Sequence, residues 1–143
     1  MIPACSKGFA AAIACIAAAW SGNAIAQAGS LNLEFNSIAD TTEGCLMTLM
    51  VNNSSTQSFS QLAYDVYLFD ETGAVVDRLL LDFGRLRENR TRIVQFQLER
   101  ACGRISRLHI NGAPECVLEN GQSSEFCMDG VIASSRTEIQ FGL

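Results

Sequence analysis

From residue 31 onward the chain alternates apolar and polar residues with a period of two, and that pattern narrows what it can fold into. Leu31, Leu33 and Phe35 alternate with Asn32, Glu34 and Asn36, while Cys45, Met47, Leu49 and Val51 lie opposite Leu46, Thr48 and Met50. Successive side chains of a strand point to opposite sides of a sheet, so such runs read as half-buried strands. After the loop Asn52-Asn53-Ser54-Ser55, a third strand is predicted from about Leu62 to Phe69. It carries Tyr64, Val66 and Leu68 on one side and Asp65 and Tyr67 on the other. The turn Asp70-Glu71-Thr72-Gly73 leads into Val75–Phe83, where Val75, Asp77, Leu79, Leu81 and Phe83 alternate with Val76, Arg78, Leu80 and Asp82. These two strands form the clearest hairpin in the sequence.

Beyond a charged loop at Arg85–Arg90, the segment Arg92–Leu98 alternates Val94, Phe96 and Leu98 with Gln95 and Gln97. Ile105–Ile110 is a sixth predicted strand, Gly112 and Pro114 open a loop, and Arg136–Phe141 forms a short last strand. No window shows an amphipathic helix longer than a turn or two. Many short strands with turns about every ten residues predict an all-β fold: an immunoglobulin-like antiparallel β-sandwich of about seven strands.

The first 26 residues have a different character. Lys7 is their one charge, Gly8–Trp20 contains only Gly, Phe, Ala, Ile, Cys and Trp, and Ala24-Ile25-Ala26 is a small-residue cleavage pattern. This reads as a cleavable signal peptide helix over residues 1–26, with a single β-sandwich domain over 27–143. The apolar run falls short of the roughly 18–20 residues of a membrane anchor, so no stable anchor is expected after cleavage. No twin arginine precedes the run, which points to the general secretory route. Lipidation at Cys15 is the weaker alternative, because five more apolar residues follow it and the lipobox leucine is missing. The expected location is the periplasm or the medium.

Export changes the meaning of the six cysteines. Cys5 and Cys15 leave with the signal peptide, while Cys45, Cys102, Cys116 and Cys127 remain. An even number in an oxidising compartment predicts disulfides, and no pair has the close spacing of a zinc site. Four cysteines allow three connectivities; Cys45–Cys102 with Cys116–Cys127 is the favoured one. Loops of that size contribute about 4 and about 3 kcal/mol before native strain is subtracted.

All fifteen acids and nine of the ten basic residues lie after residue 26, so removing Lys7 takes the net charge from −5 to −6. An acidic domain lacks the basic face that nucleic-acid binding needs. Its arginines are nevertheless clustered: Arg85, Arg87, Arg90 and Arg92 fall within eight residues. Guanidinium groups read planar anions through a two-point fork, which makes these four candidate partner-binding residues. The simpler reading is a solvated loop whose arginines pair with Glu88 and Glu99. A second candidate is the loop Val117–Phe126 with Glu119 and Glu125, which the Cys116–Cys127 bridge would close at both ends.

The stretch Val66-Tyr67-Leu68-Phe69-Asp70 followed by Gly73, with Val51-Asn52-Asn53 upstream, resembles the FxLYD-type sandwich domains of bacterial envelope proteins. Val here replaces the leading aromatic and Phe the tyrosine. The resemblance covers roughly Leu46 to Leu98. The cysteine layout and Ile110-Asn111-Gly112 also resemble a group of small uncharacterised exported bacterial proteins, some labelled with a Tat-signal domain. Both resemblances imply fold and envelope location, and neither brings catalytic residues.

Candidate chemistry is sparse. His109 is the sole histidine, and no Gly-x-Ser-x-Gly elbow, phosphate loop or calcium loop occurs. Met47, Met50 and Met128 suit Cu(I) by ligand type, but 47 and 50 point to opposite faces of a strand. Cys116 and Cys127 lack the Cys-x-x-Cys spacing of thiol oxidoreductases. The predicted function is a non-catalytic protein-binding or structural module of the cell envelope, with no cofactor and no metal. Its partner is expected to be another envelope protein, contacted through a sheet edge or one of the two loops. A periplasmic small-ligand or metal carrier is the alternative, and an enzyme a distant third.

Overall fold

The computed structural model describes residues 29–143, so the expected signal peptide over residues 1–26 lies outside the described residues. Eight strands follow in order: β1 (Leu31–Thr41), β2 (Gly44–Asn53), β3 (Phe59–Phe69), β4 (Val75–Leu86), β5 (Arg90–Leu98), β6 (Arg107–Leu118), β7 (Val131–Ser135) and β8 (Gln140–Gly142). A single turn of 3-10 helix at Cys102–Arg104 precedes β6, and the four-residue helix α1 (Phe126–Asp129) precedes β7. Among the described residues no helix is long and apolar enough to cross a membrane.

The strands form two four-stranded sheets, ordered β5-β2-β1-β7 and β4-β3-β6-β8. Their facing sides carry the predicted alternation into the core: Leu31, Leu33, Phe35, Met47 and Leu49 meet Tyr64, Val66, Leu68, Leu81 and Phe83, all essentially buried. The all-β sandwich is therefore present. It has eight strands, and each sheet is mixed: β7 runs parallel to β1, and β8 parallel to β6. The extra strand, β7, escaped prediction because its alternation is inverted. Ile132 faces solvent while the smaller Ala133 turns inward.

Several predicted loops are strand. β4 runs through Gly84 to Leu86, shrinking the charged loop to the tight turn Arg87–Asn89, where Asn89 adopts a positive φ of 54°. β6 continues through Gly112 and Pro114, because the β3 partner of Gly112 is Asp65 and that of Glu115 is Ala63. Pro114, which has no N–H to give, thus falls at a register irregularity. The β1–β2 turn needs glycine at its exit. Gly44 has a φ of +128°, and a Cβ there would stand 1.9 Å from the Leu98 carbonyl oxygen.

Both favoured disulfides are present, Cys45–Cys102 and Cys116–Cys127. Cys45 is the second residue of β2, and Cys102 lies in the turn that carries the chain from β5 to the other sheet. The first bridge therefore clamps a crossover. The second ties β6 to α1 and draws that helix against the core, where Cys127 is fully buried.

Candidate functional site

The two segments expected to meet a partner come together at one end of the sandwich. β4 ends there and β5 begins, and the Cys116–Cys127 segment leaves β6 at the same end. Ser58, just before β3, joins them: its hydroxyl accepts the Glu88 N–H at 3.0 Å and its carbonyl accepts the Glu119 N–H at 3.1 Å. Arg85 completes the junction with a two-point grip on Glu119, Nε to Oε1 at 2.7 Å and a terminal nitrogen to Oε2 at 2.8 Å. That hydrogen-bonded guanidinium holds the Glu119 carboxyl below the usual carboxylate range, with the Arg87 charge adding to it.

The expected partners Glu88 and Glu99 are thus replaced by Glu119, thirty-four positions from Arg85 in sequence. Chain proximity suggested neighbours, whereas β3, pairing with β4 on one side and β6 on the other, brings distant residues to one end of a sheet. Arg87, Arg90 and Arg92 form no ion pair among the described residues. With Arg85, Leu86 and Thr91 they line an open hollow of about 280 Å³. Arg92 reaches across the sandwich's side, its guanidinium standing 3.8 Å from where a Cβ on Gly84 would be. Three exposed guanidinium groups thus lie close together in an acidic molecule, a set of donors whose chemistry matches carboxylates or phosphates.

Glu125 lies exposed just before α1 and is not drawn into the arginine cluster by any ion pair among the described residues. The segment between Cys116 and Cys127 is less open than expected. Leu118 and Gln122 close a turn around Asn120-Gly121, Val117 bridges to Ser123, and the Ser124 N–H bonds the Cys116 carbonyl.

A polar cluster that the sequence reading did not single out lies on the outer face of the β4-β3-β6-β8 sheet. Asp65 of β3 is nearly buried, with Arg78 Nε at 2.6 Å on one carboxylate oxygen and Asn111 Nδ2 at 3.2 Å on the other. The Arg78 hydrogen bond holds the Asp65 carboxyl below its ordinary range. Beside it an open hollow of about 380 Å³ runs along Leu79, Leu80, Pro114 and Glu115. Both oxygens of Asp65 are engaged, so the cluster braces β3 to β4 and β6. Its one sequence signal was an acid within the otherwise apolar and aromatic run Leu62–Phe69.

His109, on the same outer face, is half-buried with its ring edge-on to Phe69, whose face Arg107 covers at 4.0 Å. Met47 is in the core and Met50 faces outward, so the two share no site. No family model, curated protein or solved structure matches the chain.

Proposed function

We propose that the chain is an exported, disulfide-bonded module of the bacterial envelope that works by holding another envelope protein. The FxLYD-like and immunoglobulin-like description belongs to this reading. The observation that carries it is the junction at the arginine end. The Arg85–Glu119 pair and Ser58 fix two separate segments against each other, and Arg87, Arg90 and Arg92 are left facing solvent. A surface already ordered loses little entropy when a partner docks, and arginine is enriched at such contacts. The carrier alternative has less support, because the Asp65 carboxylate beside the larger hollow is saturated by Arg78 and Asn111.

Crosslinking in intact cells tests this reading. The wild type should capture one acidic envelope protein, and Arg87→Glu/Arg90→Glu/Arg92→Glu should reduce that capture about tenfold or more. All three side chains are exposed, so the variant should keep its disulfides and melting temperature. Equal capture by a folded triple variant would overturn the assignment of this surface.

A further inference from the structure

Of the four sheet edges, one is left open to another strand. β7 and β8, with five and three residues, are too short to template a pairing. β4 is long, but its register against β3 slips at three places, and Arg100 from beyond β5 occupies its Val76 carbonyl at 3.0 Å. β5 differs from all of these. It pairs with β2 in unbroken register over nine residues, and among the described residues no strand lies on its other side. An edge strand of this kind presents unpaired N–H and C=O groups at alternate residues. Its middle stretch, Ile93–Gln97, carries no charge and no proline. Ile93 is 63% exposed, and Val94 and Phe96 are only half-buried.

The charges flanking this edge select its occupant. Arg87, Arg90 and Arg92 outnumber Glu88 at one end of β5, while Glu99 follows its other end, Glu43 lies in the adjoining β1–β2 turn, and Arg100 is drawn onto the Val76 carbonyl of β4. An antiparallel copy of the same strand places each arginine end against the other copy's glutamate end. A parallel copy would set like charges together. The edge is therefore complementary to itself, as an isologous two-fold contact requires.

We propose that two copies of the chain pair antiparallel through β5, joining the β5-β2-β1-β7 sheets into one continuous eight-stranded sheet. The two-fold axis sends the two Arg87–Asn89 turns to opposite ends of the dimer, and the Arg90 and Arg92 of each copy face the other copy. The dimer does not depend on the partner-binding reading, since it needs only the purified protein.

Sedimentation and light scattering of the oxidised, exported protein between about 1 and about 200 µM test the pairing, spanning affinities ordinary for a small specific interface. The mass should double with concentration, and the doubling should weaken with added salt. Ile93→Lys/Gln95→Lys places like charges across the two-fold at two exposed positions and should weaken dimerisation about tenfold or more. Amide hydrogen exchange locates the contact: alternate amides of β5 should slow as concentration rises. A monomer mass throughout the range would overturn the proposal. So would a dimer unchanged in the folded double variant, or concentration-dependent protection on an element other than β5.

Discussion

Tyr64 shows how one polar atom organises this core. The alternation of β3 turns its side chain inward, where the ring packs edge-on to Phe83 at 6.3 Å. A buried hydroxyl needs a partner, and this one donates to the Cys127 carbonyl at 2.9 Å, tethering α1 to β3. Tyr64→Phe keeps the ring and strands that carbonyl, so thermal melting should report a loss of about 1–2 kcal/mol. A variant as stable as wild type would mean that the disulfide and the Phe126–Phe59 packing hold α1 without the hydroxyl. Burial also pushes the Tyr64 ionisation upward. The folded state therefore favours the neutral phenol, and its contribution is complete below about pH 10 and declines above it. Two glycines with positive φ make a second residue-scale contrast. At Gly73 a Cβ would meet nothing within 4 Å, whereas at Gly44 it would strike the Leu98 carbonyl oxygen at 1.9 Å. Gly73→Ala should cost only about 1–2 kcal/mol of backbone strain. Gly44→Ala should cost clearly more, because β2 must shift away from β5; equal melting temperatures would contradict that geometry.

At the scale of elements, the chain's alternation revealed strands wherever one face is clearly apolar. β2 and β3 were visible for that reason, and so was the Asp70–Gly73 turn. Pattern failed where tertiary context decides. Gly112 and Pro114 look like loop, yet the register irregularity in β6 absorbs them; Ile132 faces solvent, so β7 reads backwards. The candidate site was legible to the same degree. Its four arginines and Glu119 stood out by composition, but the Arg85–Glu119 pair links the end of β4 to the segment after β6, which only the folded sandwich brings together, and no spacing encodes it. The Cys116–Cys127 bridge belongs to this scale because it secures an element too short to persist alone. A four-residue helix has no stability of its own, so α1 depends on the bridge, the Tyr64 bond and the packing of Phe126 against Phe59. Cys116→Ser/Cys127→Ser should remove at most about 3 kcal/mol. Exchange protection should fall first in Val117–Gly130 while β1 and β2 keep theirs. Uniform loss across both sheets would instead show that the bridge holds the whole fold.

The molecule as a whole is acidic, and its response to pH follows from where the carboxylates sit. Glu34, Asp65, Asp70 and Glu119 are all held below the ordinary carboxylate range, chiefly by side-chain hydrogen bonds from Asn36, Arg78, Thr72 and Arg85 respectively. Each therefore binds its proton more weakly folded than unfolded. The stability they supply is fully present above their unfolded values, near pH 4, and is lost as pH falls through the lower folded values. Acid also removes the negative charge that balances the arginines, leaving nine of them to repel after residue 26. Melting temperature should accordingly be flat from about pH 8 to pH 5 and fall steeply below pH 4. Asp65 is the informative position, because its carboxylate is nearly buried and bridges three strands, while Arg78 is 64% exposed. Asp65→Asn should lower the neutral-pH plateau and make the acid limb shallower, so that the two melting curves converge toward pH 3. Glu119→Gln, at the more exposed Arg85 pair, should shift the plateau much less. Parallel acid limbs for wild type and Asp65→Asn would place the acid sensitivity in the arginine repulsion rather than in the β3–β4–β6 brace.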